Sequence, residues 1–186
     1  MKLNKGDVII FPTDTVYGIG AKIDDIVALE KIYEIKHRPK DKRLAVLCAN
    51  IDDIEKIAIL NDSARKLIKN YMPGALTIIL KSKVKVRNEY ILETVAVRIP
   101  DHELALRILA LNGPMATSSV NVSGSKPMND YLEIVKHFSS EVLYVFPNAL
   151  ESSKISSTIV DLTKGDCTLV REGSIKYNDI ISFLNK

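Results

Sequence analysis

The stretch from Ser118 to Gly124 has the sequence SSVNVSG and follows the apolar residues 114–116, so small polar side chains crowd the end of a predicted buried strand. Serine, asparagine and glycine offer hydrogen bonds without bulk and let a ligand approach the backbone. The same composition is also typical of an ordinary Ser/Asn turn. Two distant segments favour a binding site: the basic cluster from Lys36 to Arg38 and the hydroxyl-rich segment from Thr13 to Gly18. Together they predict a pocket for an anionic ligand with polar ends.

The composition indicates an ordinary globular protein. The 186 residues contain no evident repeat or linker, and we predict one domain over residues 1–186. The net charge of +3 does not require a nucleic-acid partner but is compatible with an anionic ligand. The N-terminus lacks the apolar segment of a signal peptide, and no apolar run reaches membrane length, so we expect a cytoplasmic protein without membrane attachment. Cys48 and Cys167 form no CxxC motif and are expected to be buried reduced thiols.

Periodicity predicts strands and helices that interleave without strict alternation, which indicates an α/β fold with a mixed sheet. The predicted strands, besides the one that precedes Ser118, are Val8–Phe11, Leu44–Cys48, Leu76–Leu80, Thr94–Ile99, Val142–Phe146, Thr158–Leu162 and Asp166–Val170. The predicted helices begin after Asp24 or Asp25, and then cover Ile51–Ile59, Ser63–Tyr71, Glu103–Asn112, Tyr131–Phe138 and a final segment that ends at Leu184. We expect Asp52, Asp62 and either Asn178 or Asp179 to cap three of them.

Polar residues recur where predicted strands end, and these are Thr15, Ser118, Ser119, Ser157 and Arg171. One pocket at one side of the sheet would collect them. Arg98 lies inside an otherwise apolar strand, where an unpaired charge is costly. It is therefore either a site residue or one half of a structural salt bridge.

Residues 36–43 hold five basic residues and one acid, and Pro39 ends the preceding helix. This run is either a solvated basic loop or a phosphate clamp. A second basic set, made of Lys81, Lys83, Lys85 and Arg87, recurs at every second position. On a strand these residues would share one face, which protects a sheet edge or contacts nucleic acid.

The motifs of several enzyme classes are missing. The GxG at residues 18–20 lacks the third glycine of a dinucleotide site, and there is no P-loop, HxxEH, GxSxG or spaced Cys/His set. What remains is a set of cations with hydroxyls and one amide, in which the cations are Lys36, Arg38, Lys42, Arg98 and Arg171. Such a set suits the binding of phosphates and a small carboxylate, followed by their reaction through proximity and charge neutralisation. Such steps commonly need Mg²⁺ bridging the phosphates, with few protein ligands.

Six motifs in this order resemble those of the YrdC-type threonylcarbamoyl-AMP synthases, in their short single-domain form. They are FPTDTVYG (residues 11–18), KxRP (36–39), PGxLT (73–77), VRIPDH (97–102), SxNxSG (119–124) and STIVD (157–161). The resemblance implies a twisted α/β sheet with a concave basic face. It also implies that L-threonine, bicarbonate and ATP become threonylcarbamoyl-AMP and pyrophosphate. The product would serve downstream transferase proteins that form threonylcarbamoyladenosine in tRNA.

The resemblance also assigns residues to roles. It implies that Thr15, Arg98, Ser118 and Ser157 bind threonine, and that Lys36, Arg38, Lys42, Ser119, Asn121 and Arg171 bind ATP. Lys36, Arg38, Ser119 and Asn121 would be the catalytic group. The chain departs from the family pattern at Leu47, where longer members carry a histidine, and at Val120, where alanine is usual.

Two other functions stay open on the sequence. The first is a domain that binds double-stranded RNA or tRNA through the two basic segments without adenylate chemistry. The second is a carbamoyl transferase domain like that of hydrogenase maturation proteins, which belong to longer chains with zinc-finger-like cysteines that are missing here.

Overall fold

A computed structural model describes residues 1–83, 88–148 and 153–186, which form nine strands and six helices. The strands are β1 (Ile9–Phe11), β2 (Gly18–Lys22), β3 (Ala45–Leu47), β4 (Leu76–Lys81), β5 (Thr94–Arg98), β6 (Met115–Ser119), β7 (Tyr144–Val145), β8 (Thr158–Asp161) and β9 (Thr168–Arg171). The helices are α1 (Ile26–Ile35), α2 (Ile51–Ile57), α3 (Asp62–Tyr71), α4 (Glu103–Asn112), α5 (Tyr131–Phe138) and α6 (Tyr177–Leu184).

All nine strands join one mixed sheet in the order β7-β1-β2-β6-β3-β5-β4-β8-β9. The pairs β1–β7, β3–β5 and β4–β8 are parallel, and the other five pairs are antiparallel. The predicted α/β class with a mixed sheet and flanking helices is confirmed. In the described part of the chain, no helix has the length and apolar character that crossing a bilayer requires.

Successive side chains along each strand point to opposite sides, so the sheet has two faces. On β4, Leu76, Ile78 and Leu80 are buried in a core that helices α2, α3 and α6 complete. A second core lies beneath α1 and α5, and a third packs α4 onto β1 and β6. The opposite residues of β4, Thr77 and Ile79, line a cavity. The helices thus leave part of one sheet face open, and this part carries the site.

The strand β2 was not predicted, because its sequence GIGAK has two glycines that are typical of a loop. It nevertheless pairs with both β1 and β6. A Cβ atom at Gly18 would lie 2.7 Å from Cγ2 of Thr117, and one at Gly20 would lie 2.9 Å from Oγ1 of the same residue. The glycines are therefore needed because β6 places a threonine against them.

The predictions for three helix caps were wrong. The side chain of Asn50 accepts from the backbone N–H of Asp53 and that of Asn61 accepts from Ala64, so these residues cap α2 and α3 in place of Asp52 and Asp62. Each asparagine stands just before the first helical residue, where a cap must lie. Helix α6 begins at Tyr177, so Asn178 and Asp179 lie inside the helix and do not cap it. Lys176 occupies the cap position and forms no side-chain cap hydrogen bond. For α1, Asp25 is the cap.

The predicted basic strand face is only partly described. Strand β4 ends at Lys81, and the ammonium of Lys83 donates a hydrogen bond to the carbonyl of Glu55. Lys85 and Arg87 lie outside the described residues.

Candidate functional site

The open face of the sheet holds a cavity of about 330 Å³, a size that suits a small-molecule ligand. Its floor is made of small and apolar residues, namely Ala45, Ile79, Ala96 and Ile159. Its described walls carry hydroxyls and four arginines (Arg38, Arg43, Arg98 and Arg171) and contain no carboxylate, lysine or histidine side chain. A wall with positive charges alone indicates an anionic ligand.

Arg98, at the end of β5, is fixed by three hydrogen bonds. Its Nε donates to the carbonyl of Gly74 at 2.9 Å, Nη1 to Oγ1 of Thr15 at 2.8 Å and Nη2 to Oδ1 of Asp14 at 2.6 Å. The residue is only 6% exposed. Burial lowers the pKa of its guanidinium and the Asp14 carboxylate opposes that effect, while an arginine stays protonated in any case. The structural salt bridge that the sequence allowed is therefore present, and Arg98 also lines the cavity.

The hydroxyls of Thr13 and Thr15 have a defined direction. Oγ1 of Thr13 donates to the carbonyl of Val16 at 2.7 Å, so it accepts from the Thr15 hydroxyl, which lies 3.0 Å away. The Thr15 oxygen in turn accepts from Arg98. Because the proton of Thr15 is used inside the protein, its oxygen meets a ligand as an acceptor.

Ser157 and Arg171 also line the cavity. Oγ of Ser157 lies 2.8 Å from Oγ1 of Thr77, and Nη2 of Arg171 donates to the Ser157 carbonyl at 2.9 Å. Partial burial lowers the pKa of Arg171, and the nearby charge of Arg98 lowers it further. The two guanidinium groups therefore lie close enough to repel each other, and both line the cavity.

Lys36 lies behind the cavity wall rather than in it. The residue is 1% exposed, and Nζ donates to the carbonyls of Ser119 at 2.5 Å and Asn121 at 2.7 Å and to Oδ1 of Asn121 at 3.2 Å. Burial, followed by the charge of Arg38, lowers the pKa of Lys36 to about 8. All three N–H donors of its ammonium are therefore directed at the SSVNVSG segment.

Both polar atoms of the Asn121 side chain are hydrogen-bonded. Its Oδ1 also accepts from the Ser119 hydroxyl at 2.7 Å, and Nδ2 donates to the carbonyls of Val122 and Ser125, both at 2.9 Å. The backbone N–H of Ser123 bonds the carbonyl of Lys36 at 2.9 Å. The stretch that follows β6 is thus a rigid turn fastened to the end of α1.

Arg38 joins the cavity wall while it organises its own loop. Its Nε and Nη2 donate to the carbonyls of Lys42 at 2.9 Å and Arg43 at 2.8 Å. Arg43 also lines the cavity, whereas the exposed Lys42 does not. The basic run is therefore a folded loop with two arginines at the site.

The structure brings most of the predicted site residues together. Those that line the cavity are Thr15, Arg38, Arg98, Ser118, Ser119, Ser157 and Arg171. Lys36 and Asn121 support them from behind, and the roles of all these residues, including that of Lys42, remain predictions. The sequence analysis assigned no role to Thr77 and Thr117, and it included Thr13 and Arg43 only as members of the hydroxyl-rich segment and the basic run. The alternation of β4 could have indicated Thr77, because it faces away from the buried Leu76 and Ile78. Thr117 shares its face of β6 with the buried Met115, so alternation gave no signal for it.

Comparisons with known proteins show which family the chain resembles. A family model described as "Telomere recombination" (Sua5_yciO_yrdC) matches residues 1–173. Proteins named threonylcarbamoyl-AMP synthase from Pyrococcus abyssi and Bacillus subtilis are 32% identical over 182 residues and 36% identical over 184 residues. Both alignments cover 96% of this chain but only 54% and 53% of the relatives, so the chain spans about half their length.

Comparison with solved structures finds proteins of the same kind. The crystal structure of P. abyssi Sua5 complexed with L-threonine has a TM-score of 0.90 at 33% identity, over 96% of this chain and 54% of that one. The structure of Escherichia coli YciO has a TM-score of 0.82 at 30% identity, over 92% of this chain and 85% of that one. The fold, the motifs and the family model agree, and the chain belongs to the Sua5/YciO/YrdC family.

Proposed function

We propose that this protein is an L-threonylcarbamoyladenylate synthase, which converts L-threonine, bicarbonate and ATP into threonylcarbamoyl-AMP, pyrophosphate and water. The observation that carries the proposal is the fixed guanidinium of Arg98 in the wall of an all-positive cavity, beside the acceptor oxygen of Thr15. A guanidinium suits a carboxylate, and a hydroxyl acceptor suits an amine or a hydroxyl group. L-Threonine carries all three groups.

Two kinds of similarity support this substrate. The relatives from P. abyssi and B. subtilis are named for the same product, and the P. abyssi structure was solved with L-threonine. The cavity lining of this chain is an independent argument, because it combines cations that suit a polyphosphate with hydroxyls that suit an amino acid.

We assign the residues to the two larger substrates. Arg98, Thr15 and Ser157 would bind threonine, and Arg38 and Arg43 would neutralise the phosphates of ATP. The amine attacks bicarbonate and water leaves, giving a carbamate. The carbamate oxygen then attacks the α-phosphorus and expels pyrophosphate. The protein supplies proximity and positive charge, which are sufficient for a reaction between bound substrates.

We propose that Mg²⁺ enters as part of the ATP substrate and bridges its phosphates. The described residues contain no group of three or more His, Cys, Asp or Glu side chains that could hold a metal ion. An ion held mainly by phosphate oxygens and water fits this donor set, because Mg²⁺ needs few protein ligands in such sites.

The product would be consumed by downstream tRNA threonylcarbamoyl transferase proteins, since a mixed carbamoyl–phosphate anhydride is an activated acyl donor. Contact with tRNA itself is a further proposal. A tRNA- or double-stranded-RNA-binding domain without adenylate chemistry is not favoured, because the curated relatives are named for the synthase reaction.

The test is pyrophosphate release by the purified chain with ATP, Mg²⁺ and bicarbonate, with and without L-threonine. We expect release that depends on threonine and a product with the mass of threonylcarbamoyl-AMP. Binding of tRNA that weakens steeply with salt, without any pyrophosphate release, would replace the synthase by the RNA-binding alternative.

A further inference from the structure

We propose that Asp14 is a positioning residue for the recognition of the substrate carboxylate: it fixes the guanidinium of Arg98 so that the remaining N–H donors of Arg98 face the cavity. This inference rests on the proposed function and adds to it a residue that does not itself line the described cavity.

Three hydrogen bonds fix the orientation of the Arg98 guanidinium group. The guanidinium has five N–H donors, and the bonds to Gly74, Thr15 and Asp14 use three of them. The three bonds involve all three nitrogens, so the plane of the group cannot turn without breaking at least one. Two donors, one on Nη1 and one on Nη2, remain for a ligand, and this pair matches the two oxygens of a carboxylate.

Asp14 is itself held in place, which makes it an effective anchor. Its Oδ1 also accepts from the backbone N–H of Asp101 at 3.0 Å, and its carbonyl accepts from the backbone N–H of Ser153 at 3.0 Å. The carboxylate therefore connects the loop after β1 to the turn after β5. Among the three partners of Arg98 it is the only anion, and its bond is the shortest.

The Arg98–Asp14 ion pair is largely buried, and burial increases the energetic effect of removing either partner. The side chains of Arg98 and Asp14 are 7% and 17% exposed. A buried charged hydrogen bond contributes more than an exposed one, and removal of one partner leaves the other poorly solvated. Without the carboxylate, Arg98 would turn toward other oxygens, and the two free donors would no longer be presented to threonine.

The experiment compares Asp14→Asn with the wild type and with Asp166→Asn, which changes an exposed aspartate in the turn between β8 and β9. Asparagine keeps a side-chain oxygen and removes the charge. We expect the KM for L-threonine to rise about tenfold or more in Asp14→Asn, with a much smaller change in the KM for ATP. Asp166→Asn should have the same KM for L-threonine and the same KM for ATP as the wild type.

A double-mutant cycle tests whether Asp14 acts through Arg98. If it does, Arg98→Lys combined with Asp14→Asn will cost little more than Arg98→Lys alone, because both changes remove the same positioned group. A structural role would give similar losses for threonine and ATP, and independent effects that multiply. Either of these results, or an unchanged KM for threonine, overturns the proposal.

Two controls separate failure modes. Thermal unfolding identifies a variant that does not fold, and Asp14→Glu, which keeps the charge but displaces it, then provides the same comparison. If the wild type releases no pyrophosphate with threonine, the proposed function fails, and calorimetric binding of L-threonine to the wild type and Asp14→Asn decides the role of Asp14. Weaker binding to the variant retains the inference, and equal or absent binding rejects it.

Discussion

Arg98 and Lys36 are both buried cations, but their partners differ in kind. Arg98 has a carboxylate, and Lys36 has only carbonyl and amide oxygens among its described hydrogen bonds. Burial of a charge without an opposite charge is costly, and the lowered pKa of Lys36 reflects this cost. The ammonium beside the SSVNVSG turn would gain from a nearby polyphosphate.

The pKa of Lys36 gives a prediction for stability. Between its folded value of about 8 and the ordinary value of 10.5, the unfolded chain binds more protons than the folded one. The free energy of unfolding of the wild type, relative to Lys36→Met, should therefore rise by roughly 3 kcal/mol over this range as the pH increases.

Urea denaturation of both proteins at a series of pH values provides the measurement. Well below pH 8 the difference should be constant, since Lys36 is then protonated in both the folded and the unfolded state. A constant difference up to pH 10.5 would mean that the three oxygens keep the ammonium charged despite its burial.

Arg38 gives a prediction for nucleotide chemistry. Arg38→Ala removes a cavity cation and releases the carbonyls of Lys42 and Arg43. We expect kcat/KM for ATP to fall by an amount equivalent to about 1.5–3 kcal/mol, the cost of a charged hydrogen bond. Arg107→Ala, on the exposed face of α4, is the matched control. Turnover equal to that of the control would remove Arg38 from the site.

At the scale of single elements, the sequence patterns predicted most helices and strands. The prediction was wrong where the conformation of a segment depends on a residue that is distant in the sequence. Strand β2 is the main example. Its glycines are typical of a loop, and the reason for them is Thr117, which lies on β6. The caps failed for a simpler reason, since asparagine and aspartate both suit a helix start and only the position relative to the first turn separates them.

Gly18 provides a prediction for this element. Gly18→Ala should lower the free energy of unfolding by about 1–3 kcal/mol, because the new methyl group overlaps Cγ2 of Thr117. Adding Thr117→Ser, which removes that methyl group, should recover much of the loss. Denaturant unfolding of the two single variants and the double variant is the measurement. No recovery would show that β2 requires glycine for another reason.

At the scale of the whole molecule, the site depends on strand order. Thr15 and Arg98 are 83 positions apart, and Thr77 and Ser157 are 80 positions apart. Periodicity predicts most of the strands but not which strands are neighbours, so the contacts within the site could not be derived from the local patterns. The motif order of the family supplied the grouping of residues, and the fold explains why they meet.

Because the cavity joins strands from both halves of the sheet, its ligands should stabilise the whole fold. At a concentration of 100 times Kd, a ligand adds about 2.7 kcal/mol to the free energy of unfolding, which raises Tm by roughly 5–10 °C for a chain of this size. We expect such a shift with L-threonine and a smaller one with D-threonine, measured by thermal unfolding. Arg98→Ala should lose the L-threonine shift and keep that of MgATP. Equal shifts for the two enantiomers would indicate non-specific binding.

The strand order also has a consequence for synthesis on the ribosome. Strand β1 cannot pair with β7 until that strand has been synthesised, and the first residue of β7 is 135 positions after Ile9. In the same way, β4 cannot pair with β8 until the segment that begins at Thr158 has been synthesised. Until those segments emerge, the nascent chain exposes two unpaired strand edges, and such edges favour association with other chains. Native pairing of both edges therefore follows the synthesis of β7 and β8, and the part of the cavity that contains Ser157 cannot form before that segment has emerged.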